Sequence, residues 1–382
     1  MTMATKQEII KDKLEEYLKA DKASKGQILN QIKAVTRMNR KAIIRRFATS
    51  QLRSHPQDKR GRPELYHMRV IVALKEIWQL ASEICAERLH PLLPEYVAVL
   101  ERDRMWEHDQ AATALLLKMS LGTMKNRITD FPHLKARGGR GTTKPTDLRE
   151  IIPIRRGPWE NPEPGFGEID TVAHCGSSLL GDYAFSAQYT DVATIWTCLS
   201  AQWNKGEQAT MESVQRIKLR LPFCLRGIDP DSGGEFINWK LKGWCDSQGI
   251  TMTRTRPYYK NDHARIEQKN YLNIRQFLGY TRIADRRKVK LMNELYDYLE
   301  DYINFFLPSM KCVNKAKAGS RYFRRYDTSQ TAYQRVLAHT KIDGQIKARL
   351  KTKYATLNPK VLKDKINYLT RRILANTRYS FR

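Results

Sequence analysis

The chain has 382 residues, enough for two or three domains, and its 41% hydrophobic content with seven Trp excludes a disordered polypeptide. Its 68 Lys and Arg against 40 Asp and Glu give a net charge of +28, which favours a polyanionic partner such as nucleic acid. Solvated charge that serves solubility is the alternative. A membrane surface is disfavoured, because no basic amphipathic helix with an aromatic face stands out.

The charge is unevenly distributed along the chain. Residues 1–150 carry 29 basic and 18 acidic side chains, residues 151–250 carry 9 and 12, and residues 251–382 carry 30 and 10. No apolar run approaches the ~20 residues that span a bilayer, and the first residues lack a signal peptide's apolar core, so we expect a protein of the cytoplasm or nucleoid. The six scattered cysteines, with no CxxC pair, predict neither a zinc site nor a disulfide framework.

The N-terminal region has the hydrophobic periodicity of helices. In "KGQILNQIKAVTRMNRKAIIRRF" two apolar stripes are separated by a short polar break, which predicts a helix-turn-helix or an ordinary helical hairpin with a basic face. The first stripe consists of Ile28, Leu29, Ile32 and Val35, and the second of Ile43, Ile44 and Phe47. The basic residues assigned to the second helix are Arg37, Arg40, Lys41, Arg45 and Arg46.

Two further stretches before residue 135 suggest contact with nucleic acid. In Arg60-Gly61-Arg62-Pro63 the Gly and Pro keep the backbone slim, so that both arginines can enter a minor groove; a linker that is merely basic fits as well. After a long apolar helix, "LLLKMSLGTMKNRITDF" has the pattern of a second helix-turn-helix, in which Ser120 or Thr123 caps a helix. That helix presents Lys125, Asn126 and Arg127.

After a linker at 135–150, rich in Gly, Thr and basic residues, the periodicity changes. "FGEIDTVAH", "DYAFSAQYTD" and "IWTCLSAQW" predict an antiparallel meander of three strands. "FCLRGID" and "ITMTRTR" predict two more strands, with helices at 206–220 and 234–247, and a helix from about 262 to 278 closes the set. This order of elements predicts an α/β fold on a mixed sheet.

Acidic residues of this α/β region fall at the ends of predicted strands. Asp170 ends the first strand, and Asp229 and Asp231 directly follow the fourth. Glu267 lies at the start of the closing helix. In an open α/β sheet such ends converge on one crevice, where three carboxylates are suitable ligands for Mg²⁺ or Mn²⁺. Two such ions about 3.5–4 Å apart could activate a water or a 3′-hydroxyl and stabilise the leaving oxygen of a phosphodiester.

These stretches resemble the DDE transposases and integrases, in particular bacterial insertion-sequence transposases with a retroviral-integrase-like core. The resemblance covers roughly residues 150–310 and is carried by "GEIDTV", "DSGGEFIN" and "RPYYKNDHARIEQKNYLNIRQFLGY". Thirty-five residues separate Asp231 from Glu267, the spacing typical of the family, whereas 37 separate Asp229 from Glu267. Ser232 stands where the family usually has Asn, but the stretch otherwise fits from Asp231 onward, so Asp231 and not Asp229 is the predicted ligand.

The resemblance implies a ribonuclease H-like catalytic core in which Asp170, Asp231 and Glu267 hold two Mg²⁺ or Mn²⁺ ions. It implies hydrolytic nicking of double-stranded DNA at the ends of a mobile element, and attack of the freed 3′-hydroxyl on target DNA, by a homo-oligomer on DNA in the bacterial nucleoid. We predict an all-α DNA-binding region at 1–134, a linker at 135–150, the core at 151–280 and a basic C-terminal extension at 281–382. The alternatives are a DNA-binding regulator or assembly protein with an inactive core, and a ribonuclease H-like nuclease without strand transfer.

Basic side chains around Glu267 and in the C-terminal region complete the predicted DNA contacts. Around Glu267 a solvated helix face is the alternative. In the C-terminal region aromatic residues interleave with Lys and Arg, and a basic helical cap on the core is the alternative. The predicted DNA-binding residues are Arg40, Arg45, Arg60, Arg62, Lys125, Arg127, Lys260, Arg265, Lys269, Arg275, Arg321, Arg324 and Arg325.

Overall fold

The computed structural model describes residues 3–54, 65–131, 152, 163–230, 235–254, 269–318 and 321–375. The chain divides into two compact units, Met1–Leu65 and Tyr66–Arg382. The domain boundaries predicted near residues 134, 150 and 280 all fall within the second unit and remain predictions.

The first unit is helical throughout its described part. Its helices are α1 (Met3–Asp12), α2 (Leu14–Lys19), α3 (Lys22–Thr36) and α4 (Arg40–Ser54). Helix α3 begins after Asp21, whose carboxylate accepts a hydrogen bond from the N–H of Ser24. It ends at Arg37, which adopts the left-handed conformation with φ 56°. A turn of three residues, 37–39, therefore joins α3 to α4.

A small apolar core holds the first unit together. It consists of Ile10, Ile28, Leu29, Ile32, Ile43 and Phe47. Two residues of the predicted stripes, Val35 and Ile44, are 54% and 43% exposed. Successive residues of a helix are separated by about 100°, so each of these two side chains lies roughly 80° from the centre of its helix's buried face and reaches solvent.

The second unit begins with five helices. They are α5 (Met68–Leu80), α6 (Ala86–Leu89), α7 (Leu93–Arg102), α8 (Gln110–Leu117) and α9 (Leu121–Thr129). The apolar face of α5 is buried, including Leu74 and Trp78. Helix α9 is capped by Ser120, whose hydroxyl accepts a hydrogen bond from the N–H of Thr123 at 3.3 Å. The sequence-based choice of cap is therefore confirmed for Ser120.

A five-stranded mixed sheet forms the centre of the second unit. Its strands are β1 (Phe166–Ala173), β2 (Phe185–Asp191), β3 (Thr197–Gln202), β4 (Gly227–Pro230) and β5 (Thr251–Met252), in the order β3-β2-β1-β4-β5. Strand β2 is antiparallel to β1 and β3, whereas β4 is parallel to β1 and β5. Helices α10 (Glu207–Arg220) and α11 (Trp239–Ser247) follow β3 and β4. The predicted α/β fold on a mixed sheet is confirmed. Strands β4 and β5 are shorter than the strands predicted from "FCLRGID" and "ITMTRTR".

The edge strand β3 is covered by the long helix α13 (Lys288–Phe306). Asn304 accepts a hydrogen bond from the N–H of Thr197 at 2.8 Å and donates one to its carbonyl at 2.8 Å. Asn293 makes the same pair of bonds with Ala201, at 2.9 and 3.1 Å. Between them, Glu300 accepts from the N–H of Leu199. These side chains take the hydrogen bonds that a sixth strand would otherwise make.

Before α13 the chain forms a π-helical segment, Tyr271–Arg275, and the short helix α12 (Gln276–Leu278). After α13 come an antiparallel hairpin, β6 (Cys312–Ala318) and β7 (Arg321–Tyr326), and helices α14 (Ala332–Ala338), α15 (Gly344–Thr356) and α16 (Pro359–Leu374). Helix α16 packs along α13. None of the helices in the described ranges is both long enough and apolar enough to cross a bilayer.

Candidate active site at strand β1

Asp170 lies in β1 at the point where pairing with β4 stops. The β1–β4 register ends at Ile169 opposite Pro230, whereas pairing with β2 continues to Ala173. Asp170 was predicted to end the strand, but β1 runs three residues further because β2 still pairs with it. The backbone of Asp170 is consequently held by pairing with β2, just beyond the point where β4 ends.

Two donors orient the carboxylate of Asp170. The backbone N–H of Thr171 donates to its Oδ1 at 2.7 Å, and the side-chain amide of Asn270 donates to its Oδ2 at 2.6 Å. Asn270 immediately precedes the π-helical segment Tyr271–Arg275. The carboxylate on β1 is thereby attached to the helical segment that follows Glu267 in sequence.

A chain of side-chain amides continues from Asn270 into the sheet. Gln188 lies opposite Asp170 in the β1–β2 register and donates from Nε2 to Oδ1 of Asn270 at 3.0 Å. Asn273 donates in turn to Oε1 of Gln188, also at 3.0 Å. Gln188 and Asn273 are buried. All three amides therefore point their N–H groups in one direction, toward the negative charge of Asp170, an arrangement in which each bond polarises the next.

This amide relay was not anticipated from the sequence. Its one local signal is a Gln at the centre of β2, a strand whose seven residues are all buried. A buried Gln must find partners for both ends of its amide. The partners are about 80 residues away in the chain, so the sequence pattern did not identify them.

Asp229 occupies a different environment from Asp170. It is fully buried, lies opposite Glu168 in the β1–β4 register, and accepts a hydrogen bond from the hydroxyl of Thr253 at 2.6 Å. The predicted ligand Asp231 lies outside the described residues. It follows Pro230 directly in sequence, and Pro230 is opposite the residue that precedes Asp170.

Glu235 is a further carboxylate near Asp170. The hydroxyl of Thr171 donates to its Oε1 at 3.1 Å, and the Nζ of Lys205 lies 2.9 Å from the same oxygen. Its side chain is 5% exposed. Thr171 therefore contacts both carboxylates, Asp170 through its N–H and Glu235 through its hydroxyl.

His174 lies four residues beyond Asp170 and is fully buried. Its Nε2 is hydrogen-bonded to the hydroxyl of Ser186 at 2.7 Å, and that hydroxyl is also bonded to Tyr296. Burial, with the nearby charge of Arg275, lowers the pKa of His174 to about 3. The side chain is accordingly a neutral part of the core rather than a proton carrier at neutral pH.

The predicted DNA-binding residues are found in several environments. The ones exposed to solvent are Arg40 and Arg45 on α4, Lys125 on α9, and Arg324 and Arg325 on β7. Lys125 on α9 forms an ion pair with Glu87 at 2.8 Å, and Arg127 is half-buried. Arg321 begins β7, but its side chain is not described. Glu267, Arg60, Arg62, Lys260 and Arg265 lie outside the described residues.

Lys269 and Arg275 follow Glu267 in sequence. Burial and the nearby charges of Arg88 and Arg335 lower the pKa of Lys269 to about 7. The guanidinium of Arg275 donates to the carbonyls of Ala173 and Gly279 at 2.8 and 3.3 Å, next to the ring of Tyr280. Arg275 therefore holds the end of β1 against the turn after α12.

Asp170 satisfies the chemical requirement for a Mg²⁺ or Mn²⁺ ligand. Each carboxylate oxygen can accept two bonds, so the hydrogen bonds from Thr171 and Asn270 are compatible with metal ligation. Within the described ranges, no three His, Cys, Asp or Glu side chains are grouped so as to hold a metal ion. The other two predicted ligands, Asp231 and Glu267, fall outside those ranges.

Comparison with known proteins identifies one curated relative. "Uncharacterized protein y4rM" of Sinorhizobium fredii (strain NBRC 101917 / NGR234) is 33% identical over 329 residues, which are 85% of this chain and 93% of the relative. No protein-family model matches the chain. Among solved structures, the catalytic core domain of BIV integrase aligns with 50% of this chain and 98% of its own, at 12% identity and a TM-score of 0.28. At that TM-score the likeness has no bearing on the fold, which is defined here by the strand order.

Proposed function

The chain belongs to the same family as the Sinorhizobium fredii protein y4rM, and from its own site we propose that it is a DNA transposase. In this proposal Asp170, Asp231 and Glu267 are the catalytic carboxylates of a ribonuclease H-like core. The reaction is cleavage at the ends of a mobile element, followed by transfer of the 3′-hydroxyl to target DNA.

The observation that carries the proposal is the position of Asp170. The last β1–β4 pair is Ile169 opposite Pro230. Asp170 directly follows Ile169, and Asp231 directly follows Pro230. The carboxylate of Asp170 accepts from Asn270, three residues after Glu267. Three residues of chain span at most about 11 Å. This connectivity supports the assignment of Asp231 and Glu267 as the other two carboxylates.

Asp229, the competing candidate, is better explained as a structural residue. It is fully buried and its carboxylate accepts from Thr253 on the segment after β5. This position within the strand supports Asp231 as the ligand, in agreement with the 35-residue spacing to Glu267.

Asp170, Asp231 and Glu267 would hold the two Mg²⁺ or Mn²⁺ ions. Such ions, when bound, lower the pKa of a water or hydroxyl nucleophile and stabilise the leaving oxygen. The relay through Asn270 fixes one carboxylate in position before DNA arrives. Preorganisation of this kind reduces the reorganisation that the reaction requires.

DNA would be held by the basic regions on either side of the core. Helices α3 and α4, joined by a three-residue turn, have the connection length of a helix-turn-helix, and α4 exposes Arg40 and Arg45. We assign end recognition to the region 1–134, with the Arg60–Arg62 arm in a minor groove. Non-specific contact with target or flanking DNA is assigned to the C-terminal region 281–382.

The first experimental test replaces each aspartate with asparagine. Asp170→Asn and Asp231→Asn should abolish Mg²⁺-dependent cleavage of a DNA that carries the element end, because each removes a metal ligand. Asp229→Asn should retain most cleavage while lowering the free energy of unfolding by about 1–2 kcal/mol, because its buried bond with Thr253 is weakened. Cleavage is followed on gels and stability by urea unfolding.

The outcome separates the proposal from its rivals. An inactive Asp229→Asn variant beside an active Asp231→Asn variant would reverse the assignment of the ligand. If the wild-type chain binds element-end DNA but neither cuts nor joins it with Mg²⁺ or Mn²⁺, the protein is a DNA-binding regulator with an inactive core. Cleavage without joining would identify a nuclease.

A further inference from the structure

Lys205 connects the strand that carries Asp170 to the segment that follows β4. It lies between the end of β3 and the start of α10, and its side chain is 22% exposed. Its Nζ is 2.9 Å from Oε1 of Glu235, and the hydroxyl of Thr171 donates to the same oxygen at 3.1 Å. One carboxylate oxygen therefore joins β1, the segment before α10 and the segment before α11.

The backbone on either side of Lys205 is fixed by hydrogen bonds. Gln202, at the end of β3, donates from Nε2 to the carbonyl of Asn204 at 2.7 Å and to the hydroxyl of Thr210 in α10 at 3.0 Å. The side chain of Asn204 accepts from the N–H of Gly206, the N-cap of α10, at 2.9 Å. Lys205 thus extends from a position that its neighbours in the chain define.

Glu235 is anchored at the other side of the ion pair. Its side chain is buried, and its carbonyl accepts a hydrogen bond at 2.8 Å from Asn238, the residue that caps α11. A buried carboxylate loses its hydration, so removing a cationic partner leaves a charge that is poorly compensated. Lys205 supplies such a partner, and its charge favours the position of Glu235 beside Thr171.

Thr171 links Glu235 to the carboxylate of Asp170. The pairing of β1 with β4 ends at Ile169, and beyond it the N–H of Thr171 donates to Oδ1 of Asp170 at 2.7 Å. Threonine is branched at Cβ, which restricts χ1, so its hydroxyl and its backbone move together. A loss of the contact with Glu235 should therefore also loosen the bond from the Thr171 N–H to Asp170.

We propose that Lys205 is a positioning residue for Asp170. Its charge holds Glu235 against Thr171, and Thr171 holds the carboxylate of Asp170. The expected effect on cleavage rests on the proposed function, whereas the coupling from Lys205 to Thr171 can be measured without DNA or metal. A lysine that bound a phosphate directly would change DNA affinity instead, and the experiment separates these two roles.

Hydrogen exchange at single amides of β1 tests the coupling in the full chain, by mass spectrometry with fragmentation of the β1 peptide. Lys205→Met keeps the length of the side chain and removes its charge. The amide of Thr171 should then exchange about tenfold faster, because its hydrogen bond to Asp170 is weakened. The amide of His174, which donates to the carbonyl of Ala184, is the internal reference and should exchange as in the wild type.

Three further variants define the cause of the change. Lys205→Arg keeps the charge and should exchange at Thr171 as the wild type does. Lys240→Met, the same substitution at an exposed position of α11, should leave both amides unaltered. Lys205→Met combined with Glu235→Gln should exchange at Thr171 no faster than the more affected single variant, because the two residues act through one contact.

Cleavage of element-end DNA with Mg²⁺ measures the consequence for the reaction. Lys205→Met should lower kcat about tenfold or more and change KM by less than about twofold, because a misplaced catalytic group slows the chemical step rather than binding. Lys205→Arg should restore most of kcat, and Lys240→Met should behave as the wild type.

Three results bear against the inference or its premise. Unchanged exchange at Thr171 in Lys205→Met, or equal acceleration at His174, would overturn it, because Lys205 would not act specifically on this bond. A normal kcat with weaker DNA binding and a salt slope lower by about 0.9 would identify a phosphate contact and overturn it as well. If the wild-type chain cleaves no DNA, the proposed function fails, and the exchange experiment alone decides whether Lys205 positions Asp170.

Discussion

At the scale of single residues, the carboxylate of Asp170 depends for its position on a series of side-chain amides. Its carboxylate is held by Asn270, which is held by Gln188, which is held by Asn273. Because each amide both accepts and donates, a change at any member reorients the next one. In the proposed reaction, Asn270 would therefore be a positioning residue that acts through Asp170.

Replacing Asn270 with Asp tests this dependence. The substitution places a second carboxylate where a donor now faces Asp170 at 2.6 Å. Two facing carboxylates resist ionising together, so the acid limb of the cleavage pH–rate profile should move up by about one unit or more. Asn314→Asp, the same change at an exposed site, is the control. An unmoved acid limb would show that Asn270 does not act through Asp170.

Buried His174 should make the fold sensitive to acid. Its folded-state pKa is about 3 against an ordinary 6.5, so between those values the unfolded chain binds the extra proton. Stability is therefore lost as the pH falls below 6.5, by about 2 kcal/mol at pH 5. Urea unfolding at pH 7.5 and pH 5 should show a loss of stability about 2 kcal/mol larger in the wild type than in His174→Phe, whatever the variant's absolute stability.

Exposed His67 provides the control for that experiment. His67→Asn should retain the wild-type dependence on pH. If His174→Phe retains it as well, the acid sensitivity comes from other groups.

At the scale of elements, α13 closes the open edge of the sheet with side chains. Asn293, Glu300 and Asn304 recur at intervals of seven and four residues, which places them on one face of the helix. They bond alternate residues of β3, whose outward backbone groups also recur with a period of two. The spacing of these side chains along α13 therefore matches the spacing of the outward backbone groups over the length of β3.

Removing one of these contacts should destabilise the second unit. Asn304→Leu leaves both the N–H and the carbonyl of Thr197 unpaired, which should lower the free energy of unfolding by about 2–4 kcal/mol. Light scattering should rise, because an uncovered edge strand pairs with other chains. Glu294→Leu, at an exposed position of the same helix, should change stability by less than about 0.5 kcal/mol. Equal losses in the two variants would contradict the edge-capping role.

At the scale of the whole molecule, the two basic regions are built differently. The first unit exposes Arg40 and Arg45 on a helix. Near the other end, Arg324 and Arg325 are exposed on a hairpin strand beside Phe323, which is 62% exposed. A helix enters a major groove and reads bases, whereas scattered cations and aromatics on a short hairpin suit contact with the DNA backbone.

Two double variants, each of which removes two exposed arginines, distinguish these roles, and each variant is the control for the other. Arg40→Ala with Arg45→Ala should reduce the preference for element-end over scrambled DNA, because base contacts are lost. Arg324→Ala with Arg325→Ala should weaken binding to both DNAs alike and lower the salt slope by about two units. Anisotropy titrations over a range of salt would measure both effects. An unchanged preference in the first variant would place end recognition elsewhere.

Local chemistry was sufficient to predict much of the molecule from its sequence. The three-strand meander, the helix after β3 and the Ser120 cap each depend on residues that are neighbours in the chain. These features are encoded in periods of two and 3.6 residues and in turn and cap chemistry.

Only the tertiary structure decided which polar groups meet. The relay of Asn270, Gln188 and Asn273 joins residues about 80 positions apart in the sequence. The hydrogen bonds between α13 and β3 join residues about 100 positions apart. The burial of Asp229 depends on pairing with β1 and on Thr253. A sequence pattern records that a residue is polar and on which face it lies, but its partner is fixed by strand register and helix packing, which arise only when distant segments are brought together.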